Sequence, residues 1–266
     1  MKRSVMALSF VIILPLTTVL VPKASAQTQS TTAPPAAQTP TQQQQPSHPK
    51  ANGTVLNSEP RWPGILALLS VGCLHYALPR ELRVGPGWLV LMLVAALTIP
   101  ATIFHHRRNW QLSHALGYVV NAAVTLFVGI SLALLIWRLP THRDTPSQLL
   151  RSAATLWVCN ILVFACWYWR MDAGGPYQRA LRQSHAHGAF LFPQMALDPD
   201  LRKEMGQDQW SPGFVDYLFL AFNTSAAFSP TDVPPLSRWA KTLMIVQSSI
   251  SLVTIALLAA RAVNIL

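Results

Sequence analysis

The sequence predicts an all-α integral membrane protein: a helical bundle of four spanning helices, then a re-entrant segment and a final spanning helix. Three observations point there. Of the 266 residues, 51% are hydrophobic and only 11% are charged, against about 25% charged in soluble domains. Several apolar runs approach the roughly 20 residues that a helix needs to cross a bilayer. The cations between those runs stand singly or in pairs, as in Arg80 with Arg83 and Arg107 with Arg108, which is how helix ends are anchored at a membrane. A formal charge of +10 would suggest nucleic acid in a soluble protein. Spread over short loops it does not, so the expected partner is the lipid bilayer and not nucleic acid.

Residues 1–26 have the form of a secretory signal peptide. Lys2 and Arg3 precede the apolar run "VMALSFVIILPLTTVLV", and "ASA" at Ala24–Ala26 offers small residues for cleavage. An uncleaved anchor is the alternative, and either places the next segment outside the cytoplasm. Residues 27–60, as in "TTAPPAAQTPTQQQQPSHPK", are rich in Gln, Pro and Thr and offer little to bury. They read as a disordered extracytoplasmic tail.

Residues 61–169 hold four apolar segments: Trp62–Leu78, Pro86–Phe104, about His114–Trp137 and about Leu149–Trp169. Short basic loops make sequential helices antiparallel neighbours. Trp62, Trp88, Trp137, Trp167 and Trp169 near the segment ends suggest an interfacial aromatic belt. Pro100 is expected to kink or end the second helix. With the tail outside, the cytoplasmic loops carry Arg80, Arg83, Arg138, Arg143 and Arg151, and the opposite loop carries Arg107 and Arg108. That bias is small but runs in the usual direction. The N-terminal tail is therefore expected to be extracytoplasmic.

Residues 170–213 carry five basic and five acidic residues and are too polar to cross. They read as an extracytoplasmic loop. Its apolar island "GAFLFPQM" (Gly188–Met195) is expected to fold back on the helices or dip into the interface. "DPDLRKEMGQ" is expected to form a short, Asp-capped helix.

Residues 214–266 form the last module. From Phe214 to Phe228 a helix would be about 22 Å long, short of about 30 Å of hydrocarbon. It also carries Asp216, Asn223, Thr224 and Ser225. A helix buried among others accepts both features. Thr242–Ala260, bracketed by Lys241 and Arg261, spans comfortably.

"DYLFLAFNTSAAFSPTDVPPLSRWAK" resembles the pore helix, filter and inner-helix start of two-helix potassium channels. Phe222 falls on the pore-helix Phe, Asp232 on the acid after the filter, and Ala240 with Lys241 on a small-basic pair. More closely, the region from about Trp157 onward resembles an uncharacterised family of bacterial multi-pass inner-membrane proteins. These end in a similar "DYLYLAF" hairpin and an "AVNLL"-like terminus, here "ARAVNIL". The resemblance implies a pore-loop module and, because such modules enclose an axis only in several copies, a homo-oligomer. The filter departs from the pattern. Ser229 and Thr231 stand at its two glycine positions with Pro230 between them, and no glycine follows Gly213. Carbonyl-lined filters need backbone that glycine allows, so no potassium-type filter is expected. The pore-loop candidates are Thr224, Ser225, Phe228, Ser229, Thr231 and Asp232. They either form a polar constriction or cap the short helix and start the next turn.

Other chemistry is sparse. Cys73, Cys159 and Cys166 lie in apolar spans and read as small core residues. His75 reads as a packed, hydrogen-bonded core residue, and His105 and His106 as interfacial anchors. His185 and His187 would need a third ligand to hold a metal, and none is evident. Asn121, Asn160 and Gln247 are expected to bond between helices. Asp216 suits the start of its helix. The first four segments carry no Asp or Glu, which argues against a proton- or sodium-coupled carrier. No nucleophile–base pair, phosphate loop or metalloprotease signature is present, so neither an enzyme nor a cofactor is expected. Two functions remain: a channel-like conduit for ions or small solutes, and a non-conducting structural or interaction protein of the cell envelope with periplasmic partners.

Overall fold

The computed structural model describes residues 60–263 except 84, 107–109, 139–144, 183–187, 208–209 and 229–231. The signal-like segment 1–26 and the tail up to residue 59 lie outside the described residues. So do His185, His187, Ser229, Pro230 and Thr231.

All regular structure among the described residues is helical. Helix α1 (Trp62–Ala77) opens with a proline in its first turn and stops before Pro79, with Leu78 extended, as a residue preceding proline prefers. Helix α2 (Trp88–His106) runs on through Pro100, so that proline does not end it. Helix α3 (Trp110–Arg138) has 29 residues. Helix α4 (Pro146–Met171) begins with a full capping box, in which Thr145 and Gln148 each accept from the other's backbone N–H. It ends two residues beyond the predicted boundary. Ala173, Gly174 and Gly175 then turn the chain with φ of 49°, 81° and 87°, and α5 (Gly175–Arg182) follows. A Cβ on Gly175 would lie 2.7 Å from the Arg170 carbonyl oxygen, so only glycine fits both the φ and the space there.

Two short helices come next: α6 (Pro193–Ala196) and α7 (Pro199–Glu204), capped by Asp198 as the sequence suggested. Helix α8 (Phe214–Ala227) has 14 residues, about 21 Å at 1.5 Å per residue. Helix α9 (Arg238–Val263) closes the chain.

Among the described residues, three stretches are long and apolar enough to cross a bilayer: Leu112–Arg138, Ser147–Arg179 and Arg238–Ala260. Helices α1 and α2 are apolar but shorter. The protein is thus an all-helical protein with the elements of a membrane protein. Helix α4 is the hub and packs against α1, α3, α8 and α9, while α2 packs on α1 and α3. The long helices keep bulky apolar side chains outward, including Leu66, Met92, Leu126, Trp137 and Ile245. Water would penalise such a surface, and lipid tails would not.

Three expectations need correction. Trp169 is buried against Phe214, and Trp167 donates inward to Thr125 Oγ1 at 2.9 Å. Neither belongs to an outer aromatic belt, because α4 sits at the centre of the bundle. Trp62, Trp88 and Trp137 are exposed as expected. Cys73 is exposed rather than in the core, whereas Cys159 and Cys166 are buried. His75 is buried edge-on to Phe127, but its Nδ1 has no hydrogen-bond partner.

Candidate functional site

The C-terminal hairpin is organised by one side chain, Gln247 of α9. Its Nε2 donates to the Ala221 carbonyl at 2.7 Å and to Ser225 Oγ at 2.8 Å, both on α8. Its Oε1 accepts from Tyr168 Oη of α4. Its main-chain carbonyl accepts from Asn160 Nδ2, also of α4, at 3.3 Å. One turn on, Ser251 Oγ donates to the Ser225 carbonyl at 2.9 Å, and Ser248 Oγ reaches the Thr224 carbonyl at 3.5 Å. Gln247, Ser251, Thr224 and Ser225 are fully buried. The geometry follows from helical spacing: residues 221, 224, 225 and 247, 248, 251 repeat at three and four and so share a face on each helix.

This places the sequence-predicted candidates. Thr224 and Ser225 are buried within the same chain, and Ser225 meets Gln247 of α9. Thr224 Oγ1 donates to the Leu220 carbonyl of its own helix at 2.8 Å. Phe228 and Asp232 are exposed beyond the end of α8, apart from that network. Ser229 and Thr231, also predicted, lie outside the described residues. Phe228 terminates α8 with φ 56° and ψ 19°, a left-handed conformation usually left to glycine or asparagine. Lack of glycine thus does not bar positive φ at a single helix end.

The turn after Phe228 is held from the other side by the apolar island. Leu191 N donates to the Pro234 carbonyl at 3.2 Å, and Leu236 N to the Ala189 carbonyl at 2.7 Å. Phe190 and Pro235 thereby form an antiparallel bridge. The island folds back on the helices, as expected. Phe190 packs edge-on against Tyr168, Tyr217 and Trp239, and Phe192 against Tyr217 and Trp210.

A second buried cluster anchors the island, and sequence reasoning missed it. Asp172 is completely buried. It accepts from Tyr217 Oη at 2.6 Å and from Ala189 N. Arg179 donates to the carbonyls of Trp169 and Asp172 at 2.9 and 2.8 Å and lies 5.2 Å over the Tyr217 ring. From sequence Asp172 is assigned only to the extracytoplasmic loop 170–213 and is not singled out. The signal available was its position, two residues past an unbroken apolar helix and followed by "AGG". Asp216 sits in the first turn of α8, where its Oδ2 accepts from Gly213 N at 2.8 Å. Burial pushes its carboxyl above the usual range, against the opposing effect of that N–H.

Among the described residues no group of three His, Cys, Asp or Glu is placed to hold a metal. No protein-family model matches the chain, nor does any curated protein or solved structure.

Proposed function

We propose that the chain is a multi-pass protein of a bacterial inner membrane whose C-terminal hairpin is a structural lock rather than an ion filter. In this reading α1 to α4 cross the bilayer, α8 is re-entrant, α9 crosses last, and the tail is extracytoplasmic. The protein then serves as a non-conducting structural or interaction protein of the envelope. One observation carries the reading: the hydroxyls of Thr224 and Ser225 bond within the chain, and Gln247 ties Ser225 to α9 and α4. Side chains committed to that network do not line an axis between copies. The resemblance to potassium-channel pore modules then concerns the helix–turn–helix outline.

The competing reading is a conduit for ions or small solutes formed by several copies. It draws on the exposure of Phe228 and Asp232 at the tip of the hairpin. Ion flux into liposomes carrying the full chain separates the two. The expected flux equals that of empty liposomes, with or without Ser229→Ala and Asp232→Asn. Flux above that background that either substitution alters would establish the conduit instead.

A further inference from the structure

At one end of the bundle a cavity of about 280 Å³ opens between the ends of α2 and α4 and the starts of α1 and α3. Arg61, His114 and Arg170 line it, beside Ile65, Leu68 and Trp169, and none of its described lining residues is acidic. Its hydroxyl hydrogens are already committed. Thr98, Thr102 and Ser113 donate to the carbonyls of Val94, Ile99 and Ala101.

Arg170 stands out. Its Nε is buried with no hydrogen-bond partner. Its guanidinium lies against Gly117 so closely that a Cβ at residue 117 would fall 1.6 Å from Nη1 and 2.5 Å from Cζ. The glycine is therefore what makes room for the cation there. Arg170 as a whole is half-buried, and holding a partly desolvated guanidinium with an unpartnered Nε costs free energy, while its planar fork matches an oxyanion with two accepting oxygens.

We infer that this cavity binds a phosphate-bearing anion. A space of this size exceeds what a halide fills. Apolar walls beside a cation at the ends of membrane helices suit a phospholipid headgroup, and free phosphate offers the same oxygens. Arg170 is the principal donor, His114 and Arg61 are flanking groups, and Gly117 is the residue that positions Arg170.

The test uses the full chain in neutral detergent, titrated with phosphatidylglycerol, with phosphatidylcholine, and with inorganic phosphate. Binding is read by native mass spectrometry and thermal unfolding. Saturable binding of phosphatidylglycerol but not phosphatidylcholine is expected if the source is an acidic lipid, and of inorganic phosphate if the source is the free ion. Arg170→Gln should weaken binding about tenfold or more. Gly117→Ala keeps every charge but occupies the guanidinium's place, and should weaken binding comparably. Without added anion, Arg170→Gln should unfold at or above the wild-type temperature, since it removes a partly desolvated cation whose Nε has no partner. Absence of saturable binding to both anions, or binding that neither substitution changes, would overturn the proposal.

Discussion

Where α9 packs against α4 and α8, Gln247, Ser251, Asn160, Thr224 and Ser225 all find partners. Trp157, whose Nε1 has none, is the exception on that side. Across α1 to α3 the pattern reverses. His75 Nδ1, Ser131 Oγ and both side-chain polar atoms of Asn121 are buried without a hydrogen bond. Both regions bury apolar side chains in one continuous core, so the contrast is not one of hydrophobicity. It concerns specificity. Between lipid-exposed helices there is little hydrophobic drive to choose one register over another. A matched set of donors and acceptors chooses one, because a shifted helix leaves buried groups unpaired. The C-terminal half is pinned in register by such a set, whereas α1 to α3 rely mainly on shape, with the Ser113 hydrogen bond to the Ala101 carbonyl joining α3 to α2.

The sharpest way to break this contrast is Gln247→Leu. The substitution keeps approximate volume and strands Tyr168 Oη and Ser225 Oγ in the interior. A loss of about 2–6 kcal/mol is expected, at about 1–3 kcal/mol for each of the two buried groups left unpaired. Thermal unfolding of the purified chain in neutral detergent measures it. A loss below about 0.5 kcal/mol would mean the network is incidental and the contrast between the halves empty.

Tyr217→Phe tests the second anchor. It removes the Tyr217 hydrogen bond to buried Asp172 and preserves the ring that packs against Phe190, Phe192 and Arg179. The expected loss is about 1–2 kcal/mol, the range for a hydrogen bond to a charged group diminished by relaxation of its neighbours. Limited proteolysis within residues 183–212 should speed up in parallel, because Asp172 also holds the backbone of Ala189. Unchanged proteolysis with normal stability would show that the apolar island is held by Phe190, Phe192 and its backbone bonds to Pro234 and Leu236, without the Asp172 anchor.

How far the sequence could be read follows the same division. Helices announce themselves by apolar runs and by caps. The 14 residues of α8, the long α9 and the Asp198 cap lie within a few residues of their expected places. Gln247 and Asn160 were legible as interhelical bonders, since a polar amide in an apolar helix needs a partner. Asn121 offered the same signal and has no bond, because local pattern does not say which neighbour a side chain will meet. The direction of Thr224 and Ser225 was not legible either. Hydroxyls at the end of a short helix suit a pore axis and a buried interface equally, and only the packing of α9 across them decides. Asp172, Arg170 and Gly117 were missed for a related reason. Their meaning lies in contacts with residues 45, 53 and 53 positions away respectively, which no local window contains.

Asn121→Leu gives the smallest effect and the finest test. Asn121 is fully buried in α3 and neither its Nδ2 nor its Oδ1 has a partner. Its main-chain carbonyl, which accepts from Thr125 Oγ1 at 2.6 Å, would be untouched. Leucine has similar size and no polar atoms to desolvate, so the expected change is a gain, or a loss smaller than about 0.5 kcal/mol. The corresponding amide-to-leucine change at Gln247 is expected to be strongly destabilising, so the pair weighs hydrogen bonding against modest changes of volume. If Asn121→Leu instead costs about 1–2 kcal/mol, an internal water bridges the amide to the helices around it. The polar groups of α1 to α3 would then be satisfied through solvent, and the two halves would differ in how they pair their polar groups rather than in whether they do.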